Sequence, residues 1–246
     1  MTQTPASTPW PAQACALIRR RYAHLATADL FHPDPRTTAI ANGCPEAWYD
    51  SLPARVAGAY SGCGWPAANL DFETVRIVVE VGCGGGLVAR FIAERLSPGG
   101  RVIALDLTPK ILLRARETAS DTIPGYVRLL AADMERLPLA DGCADAVIAN
   151  ASLNLATDKD AALGETHRIL RSDGVLLEAD LVRVGEMPRE IRNDPMVMAT
   201  SLGGVTEEAA LETALRDAGY GDIRIGGHRP FGPVIAVDIR AWKKTR

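Results

Sequence analysis

The segment VRIVVEVGCGGG, residues 75–86, carries the strongest structural signal in the chain. Its first seven residues form a nearly continuous β-branched run, which is typical of a strand buried on both faces of a parallel sheet. The glycines that follow predict a tight turn, which leads into a predicted helix at residues 87–96. That helix is expected to end at Ser97-Pro98-Gly99-Gly100. The segment therefore predicts a strand–turn–helix unit of a parallel sheet.

The rest of the chain repeats this alternation. Further strands are predicted at residues 101–107, 126–132, 144–150, 174–181, 222–227 and 234–242, and further helices at 109–120, 159–170 and 206–218. Strands that alternate with helices of this length form βαβ units. We therefore predict an α/β fold with a doubly wound, mostly parallel, seven-stranded sheet of the Rossmann-like type.

The N-terminal part of the chain is less regular. Residues 1–13 are rich in Pro, Thr and Ala, and we predict a disordered tail there. Residues 14–74 are predicted to form a helical cap or lid, with helices at 14–30 and 48–60. The remaining residues, 75–246, are predicted to form the ligand-binding domain.

Composition limits the classes of partner. The chain has 246 residues, of which 47% are hydrophobic, and a net charge of −3. A slightly acidic chain has no electrostatic reason to bind nucleic acid or an anionic membrane, so the expected partner is a small-molecule substrate. The five cysteines are odd in number and irregular in spacing, which favours reduced thiols in the cytoplasm. None pairs with a histidine at zinc-ligand spacing, and we predict no metal site.

The spacing of the glycine turn narrows the possible ligands. Turns of this kind bind dinucleotides, nucleoside phosphates or S-adenosylmethionine. Counted from Gly82, the sixth position of the dinucleotide pattern is Leu87, which is too bulky; a frame from Gly84 fits but begins two residues late. No Gly-Lys-Ser/Thr follows, which excludes a phosphate-binding P-loop. Glu80 precedes the turn, and its carboxylate suits a cationic ligand such as S-adenosylmethionine better than a pyrophosphate.

Two further acids are predicted at the ends of the next strands. Asp106 is placed to accept both hydroxyl groups of a ribose, a role that S-adenosylmethionine and NAD would share. Asp133 is placed to meet an adenine amino group. The alternative is that each acid only caps the helix or turn that follows it. Because the carboxyl ends of parallel strands meet at one edge, we expect the three acids to lie around one ligand.

These residues resemble the motifs of the class I S-adenosylmethionine-dependent methyltransferases. The matching segments are Glu80-x-Gly82-x-Gly84-x-Gly86, Asp106-Leu107-Thr108-Pro109, Asp133-Met134-x-x-Leu137-Pro138 and Arg168-Ile169-Leu170-Arg171-Ser172-Asp173-Gly174. The resemblance covers about residues 75–182. It implies the class I methyltransferase fold, S-adenosylmethionine as cofactor and methyl transfer as the activity.

A longer resemblance points to the arsenite methyltransferase group within that class. It rests on Asn42-Gly43-Cys44, Tyr60-Ser61-Gly62-Cys63-Gly64, Asn150-Ala151-Ser152-Leu153-Asn154-Leu155-x-x-Asp158-Lys159 and Ser201-Leu202-Gly203-Gly204. Arsenic-binding members present three thiolates. This chain has Cys63, but it has Ala151 and Ser201 (or a neighbour) where the other two are expected. A single thiolate cannot build such a site, so the departure from the group's pattern points to a different substrate.

The predicted site residues cluster around the strand ends. The cofactor-binding set is Glu80, Gly82, Cys83, Gly84, Gly86, Asp106, Leu107, Asp133, Met134 and Asn150, and the substrate-pocket set is Tyr60, Cys63, Asn154 and Ser201. Asn150 and His24 are the candidate catalytic residues, with His24 as a base on a lid helix. Turn geometry for Asn150, a buried thiol for Cys63 and a structural role for His24 stay open as alternatives. The aromatic residues before the first strand, Tyr22, Trp48, Tyr49, Tyr60 and Trp65, either close over the cofactor or pack the cap on the sheet.

The sequence thus predicts a methyltransferase that acts on a nitrogen, sulfur or oxygen nucleophile of a small molecule. Several alternatives stay open. The same pocket suits ring closure of S-adenosylmethionine with release of methylthioadenosine. An arsenite-type methyltransferase and a binding protein without turnover also remain, whereas Glu80 and Leu87 argue against an NAD-dependent oxidoreductase.

Overall fold

The computed structural model describes residues 9–120, 126–186, 194–200 and 202–244. Within these ranges the chain forms one eight-stranded sheet with helices on both faces. The predicted α/β fold with a mostly parallel, Rossmann-like sheet is therefore confirmed. Residues 1–8 of the predicted disordered tail lie outside the described residues, and residues 10–13 belong to the first helix.

The strands are β1 (Ile77–Val81), β2 (Arg101–Asp106), β3 (Val127–Ala131), β4 (Ala144–Asn150), β5 (Leu170–Arg183), β6 (Thr206–Glu207), β7 (Tyr220–Phe231) and β8 (Val234–Lys243). Their order is β3-β2-β1-β4-β5-β8-β7. The strands β1 to β5 pair in parallel, whereas β8 pairs antiparallel with both β5 and β7. Strand β6 has two residues and pairs with the end of β5, so it adds an eighth strand to the seven predicted.

The α-helices are α1 (Trp10–Leu25), α2 (Pro35–Ala41), α3 (Glu46–Asp50), α4 (Ala54–Ala57), α5 (Leu87–Ala93), α6 (Pro109–Ser120), α7 (Lys159–Ile169), α8 (Pro195–Met198) and α9 (Glu208–Asp217). Two 3₁₀ turns lie at Pro66–Asn69 and Leu153–Leu155. Among the described residues, no helix is long and apolar enough to cross a membrane.

The largest differences from the predicted elements occur before β1. The helix predicted at residues 14–30 is α1, which begins and ends earlier. The helix predicted at 48–60 is two short helices, α3 and α4, separated at Pro53. Proline lacks a backbone N–H group and cannot continue a helix from the preceding turn, so it begins α4 instead.

The core lies on both faces of the sheet because side chains alternate along each strand. On one face, Val78 packs with Leu87 and Phe91 of α5 and with aromatic side chains from the segment before β1. On the other face, Val79 packs with residues of α7 and α9, including Leu163 and Leu211. Parallel strands buried on both faces read as continuous apolar runs, which is why the sequence predicted β1 so clearly.

Candidate active site at the carboxyl edge of the sheet

The glycine turn after β1 has a backbone that only glycine adopts easily. Gly82 has φ +72° and Gly84 has φ +51°, both in the left-handed region. A Cβ atom on Gly82 would collide with the side chain of Ser152, whose hydroxyl group donates to Val81 O at 2.6 Å. A Cβ atom on Gly84 would meet nothing within 4 Å. Gly84 therefore exposes its backbone to an open cavity, as a ligand-binding turn requires.

Asp106 ends β2 directly beside this turn. Its Oδ2 accepts a hydrogen bond from Gly84 N at 3.1 Å, and its Oδ1 accepts one from Thr108 N at 2.8 Å. Burial raises the pKa of Asp106 to about 6, although both backbone hydrogen bonds oppose that shift. The carboxylate thus has a fixed orientation at the cavity wall and ionises near neutral pH.

The end of β3 supplies a second acidic wall. Asp133 Oδ1 accepts a hydrogen bond from Glu135 N at 3.0 Å, which fixes the turn after the strand. Glu135 is itself held by Thr157, whose N and Oγ1 donate to Glu135 Oε1 at 2.6 and 2.7 Å. Leu107, after β2, and Met134, after β3, also line the cavity and add apolar surface to it. A flat purine ring with a polar edge suits such a wall.

Glu80 lies beneath the turn and not at the cavity wall. Its side chain is buried, it accepts a hydrogen bond from the backbone of Ala89 in α5, and its Oε2 has no hydrogen-bond partner. Burial raises its pKa to about 8, and the nearby Asp106 adds to that shift. A direct contact between Glu80 and a cofactor stays a prediction. Cys83 and Gly86 also lie outside the cavity lining.

A cavity of about 500 Å³ opens at this edge of the sheet, within the size range of small-molecule sites. It is lined by Cys15, Ile18, Arg21, Tyr22, His24, Leu25, Phe31, His32, Pro33, Ser61, Gly82, Gly84, Asp106, Leu107, Thr108, Asp133, Met134, Glu135, Asn150, Ala151, Ser152, Leu155, Ala156 and Phe231. The strand ends form its floor, and one face of α1 lies over it. A nucleoside fits this site because the cavity combines free backbone at Gly84, a fixed carboxylate at Asp106 and an apolar wall.

Asn150 both lines the cavity and holds a neighbouring loop in place. It lines the cavity at the end of β4. Its Oδ1 accepts hydrogen bonds from Cys63 N at 2.9 Å and Gly64 N at 3.3 Å, and its Nδ2 donates to Gly64 O at 2.8 Å. The amide therefore holds the loop at residues 61–64 against the strand end. The sequence left two roles open for Asn150, a pocket residue and a residue that fixes a turn, and these hydrogen bonds fit the second.

His24 lies on α1 and lines the cavity, and its role as a base stays a prediction. The three described residues of the predicted substrate pocket lie elsewhere. Tyr60 is buried and its hydroxyl group donates to Gly64 O at 2.7 Å. Asn154 is buried and its backbone N–H donates to Asp180 Oδ2 at 2.9 Å. Cys63 is fully buried, and Ser201 lies outside the described residues.

Cys63 packs in a small apolar cluster with Ala179, Leu181 and Val205, and Ala151 packs against the same cluster. No other cysteine of the described residues belongs to this cluster. Burial raises the pKa of the Cys63 thiol well above its ordinary value, and nearby Asp180 adds to the shift. A neutral, enclosed thiol of this kind is a poor ligand for a soft cation.

The aromatic residues before β1 were predicted either to close over the cofactor or to pack the cap on the sheet, and the structure places them in both positions. Tyr22 lines the cavity. Trp48 and Trp65 instead pack on Phe91 of α5, with ring centroids 4.9 and 5.1 Å from that ring. The ring of Tyr60 lies 5.8 Å from that of Trp65 at an angle of 42°, and Tyr49 is buried with its hydroxyl group donating to Ala57 O. Most of this group therefore packs the cap on the sheet.

Sequence reasoning missed several residues of the cavity wall. Arg21, His32, Ser61 and Phe231 line it, although no motif marked their side chains for the pocket. Phe231 lies about 200 positions after His32 in the chain. Only the folded arrangement brings such distant segments together, so local spacing carried no signal for them.

Comparison with known proteins supports a single family. Residues 79–177 match the family described as methyltransferase domain. An arsenite methyltransferase of Halobacterium salinarum is 29% identical over 164 residues, which cover 67% of this chain and 42% of that protein. An arsenite methyltransferase of Aquipseudomonas alcaligenes is 29% identical over 216 residues, which cover 80% of this chain and 60% of that protein. The chain therefore spans less than two thirds of the length of these curated relatives.

A solved structure shows the same fold. The arsenic(III) S-adenosylmethionine methyltransferase of Chlamydomonas reinhardtii superposes with a TM-score of 0.69 at 24% sequence identity. The superposition covers 81% of this chain and 72% of that one. This likeness, at that level of identity, establishes the architecture of the sheet and its helices.

Proposed function

We propose that the chain is a class I S-adenosylmethionine-dependent methyltransferase that methylates a nitrogen, sulfur or oxygen nucleophile of a small molecule. S-adenosylmethionine is the cofactor of this family. The proposed reaction breaks the bond between its sulfonium sulfur and methyl carbon, leaves the electron pair on sulfur and joins the carbon to the nucleophile. A cytoplasmic location is proposed as well, from the irregular spacing of the five cysteines.

The main support for this proposal is the cavity at the carboxyl edge of the sheet. It combines the open backbone of Gly84 with the fixed carboxylate of Asp106 and the acidic, apolar wall after β3. We propose that Asp106 accepts the ribose hydroxyl groups and that Asp133 meets the adenine amino group. Leu107 and Met134 would flank the adenine ring.

The residues around the acceptor have simple tasks in such a reaction. The chain has to align the nucleophile and exclude water, and the lid position of α1 suits both. Asn150 is proposed to shape the acceptor side by holding the loop at residues 61–64. His24 is proposed to take the proton of an acceptor whose nucleophile is protonated.

Arsenite is a second candidate acceptor, because two of the similar proteins are arsenite methyltransferases. Against it stand the burial of Cys63 and the alanine at position 151 beside it. A trivalent arsenic atom needs several accessible thiolates. We therefore propose that the nucleophile belongs to an organic molecule, and we keep arsenite as a control substrate in the assay.

The test is calorimetric titration of the protein with S-adenosylhomocysteine, followed by mass spectrometry of the nucleoside formed from S-adenosylmethionine. Acceptors are offered as a panel of thiols, amines and phenols, with arsenite as a further arm. Methyl transfer leaves S-adenosylhomocysteine, whereas ring closure leaves methylthioadenosine. Methylthioadenosine as the product, or no nucleoside product with any acceptor, would contradict the proposal.

A variant tests the ribose assignment. Asp106→Ala removes two charge-assisted hydrogen bonds to a ribose, so the affinity for S-adenosylhomocysteine should fall about tenfold or more. Asp160→Ala changes an exposed aspartate in the first turn of α7 and serves as the control. Equal affinity in both variants would remove Asp106 from the site.

A further inference from the structure

The cavity receives residues from both ends of the strand order. Asp133 follows β3, Phe231 is the last residue of β7, and both line the cavity. Strands β3 and β7 are the first and last in the order β3-β2-β1-β4-β5-β8-β7. Strand β7 runs in the same direction as β5, because β8 pairs antiparallel with both, so Phe231 lies at the carboxyl edge. Since Asp106 and Asp133 are proposed to hold the nucleoside, Phe231 belongs to the acceptor side of the cavity.

Phe231 belongs to an apolar part of the wall. Phe231 and Ala151 both line the cavity, and both pack against the buried cluster that contains Cys63 and Ala179. Ala151 is fixed to strand β5, because its backbone N–H donates to Ala179 O at 2.8 Å. Both side chains are partly buried, so each contacts the cluster and still presents apolar surface to the cavity.

The charged groups next to this cluster are paired with each other. Arg229 precedes Phe231 by two residues and lies on the same face of β7. Its Nη1 and Nη2 donate to Asp238 Oδ2 and Oδ1 at 2.7 and 2.8 Å, and Nη2 also donates to Cys63 O at 3.2 Å. The guanidinium and the carboxylate therefore neutralise each other and hold the loop at residues 61–64. A neutral apolar group suits a wall of this kind better than an ionic one, whose desolvation would go uncompensated.

From these contacts we propose that the acceptor carries its nucleophile on an aromatic ring and that this ring packs on Phe231. The inference rests on the proposed function, because it names the class of acceptor bound in the same cavity. Phenylalanine packs well with another aromatic ring, in an offset or edge-to-face arrangement. Phenols, anilines and thiophenols all carry such a ring. Phe231 is then a specificity-determining residue, which selects the ring and leaves the bond-forming atom to the acceptor.

The experiment measures binding and does not depend on turnover. The complex of the protein with S-adenosylhomocysteine is titrated with 2-naphthol, whose fluorescence anisotropy rises when it binds. Phenol and cyclohexanol, which share a hydroxyl group and a six-membered ring but differ in aromaticity, then compete with the bound 2-naphthol. The wild type is compared with Phe231→Ala and Phe231→Leu. Ile235→Ala is the matched control, because Ile235 lies in the same β7–β8 hairpin but packs on the opposite face of the sheet, outside the cavity lining.

In the wild type, phenol should displace 2-naphthol at a lower concentration than cyclohexanol does. Phe231→Ala removes the ring and its apolar surface, so 2-naphthol should bind about tenfold more weakly. Phe231→Leu keeps the apolar bulk without the ring, so phenol should lose its advantage over cyclohexanol. Ile235→Ala should bind all three probes as the wild type does, and the affinity for S-adenosylhomocysteine should be the same in every variant.

The proposal is overturned when Phe231→Ala binds 2-naphthol as tightly as Ile235→Ala does, or when cyclohexanol competes as well as phenol in the wild type. If Phe231→Ala also loses S-adenosylhomocysteine, Phe231→Leu decides the question, because leucine still packs on the cluster. Failure of the proposed function itself looks different, since the wild type then binds no S-adenosylhomocysteine. Wild-type binding of S-adenosylhomocysteine without any effect at Phe231 leaves the proposed function standing and removes the aromatic acceptor.

Discussion

At the scale of single residues, Glu80 shows how a buried acid makes stability depend on pH. Its carboxyl group is buried beneath the glycine turn, and one oxygen has no hydrogen-bond partner. Burial raises its pKa from an ordinary value of 4.5 to about 8. The unfolded chain therefore releases this proton near pH 4.5, while the folded protein keeps it up to about pH 8. Its contribution to stability is full below pH 4.5 and is lost as pH rises toward 8.

We expect Glu80→Gln to remove this pH dependence. Glutamine keeps an oxygen to accept the Ala89 hydrogen bond and cannot ionise, so the variant should be more stable than the wild type at pH 8 by about 1 kcal/mol or more. Urea denaturation at pH 5, 6.5 and 8 measures the difference. Glu73→Gln, at an exposed position, is the control. If the free energies of unfolding of the wild type and Glu80→Gln change with pH in parallel, Glu80 is ionised in the folded protein throughout this range.

The residues at strand ends were the predictable part of the site. Carboxyl ends of parallel strands meet at one edge, and Gly84, Asp106 and Asp133 do line the cavity there. The substrate-pocket residues were chosen by motif resemblance, which says nothing of the direction of a side chain. The resemblance therefore could not reveal that the side chains of Tyr60 and Cys63 are buried in the fold. Ser61, which lies between them in the chain, does line the cavity.

At the scale of elements, the loop at residues 61–64 depends on the amide of Asn150. That amide satisfies two backbone N–H groups and one carbonyl group of the loop. Gly62 lies so close to it that a Cβ atom there would collide with the amide. The loop can therefore approach the end of β4 only with glycine at 62 and an amide at 150.

We expect Asn150→Ala to lower the free energy of unfolding by about 2 kcal/mol, because it leaves backbone groups of the loop without partners. Asn150→Asp is the sharper comparison. A carboxylate still accepts from Cys63 N, but it has no donor for Gly64 O and would face that oxygen with negative charge. The aspartate variant should be at least as destabilised as the alanine variant in urea denaturation. A nearly wild-type Asn150→Asp would show that the bond to Gly64 O contributes nothing.

Helices and strands with a regular sequence pattern were predicted more accurately than irregular ones. Strand β4 was predicted at its observed bounds, because it is a run of buried residues between clear turns. Before β1, helices α1, α3 and α4 were predicted with wrong ends, and helix α2 was not predicted. Short helices separated by proline have little apolar periodicity of their own, and tertiary contacts decide where each one begins.

At the scale of the whole molecule, an aromatic cluster joins the segment before β1 to the sheet. Trp48 and Trp65 pack on Phe91 of α5, and Trp48 Nε1 donates to Glu94 Oε2 at 2.5 Å. Two of the four tryptophans of the chain therefore sit at this junction. Helix α1, which lines the cavity, belongs to the same N-terminal segment.

We expect this junction to make the molecule unfold as one unit. In the wild type, tryptophan fluorescence, to which the two junction tryptophans contribute, and far-UV circular dichroism, which reports the helices and sheet, should give coincident urea transitions. Phe91→Ala removes the ring on which both tryptophans pack, and it should cost about 3–5 kcal/mol. Leu113→Ala, at an exposed position of α6, is the control and should change stability little. If fluorescence and dichroism separate already in the wild type, the segment before β1 unfolds independently and the cluster is not what couples the two parts. If they separate only in Phe91→Ala, the coupling is carried by that ring, since the rest of the interface is still present in the variant.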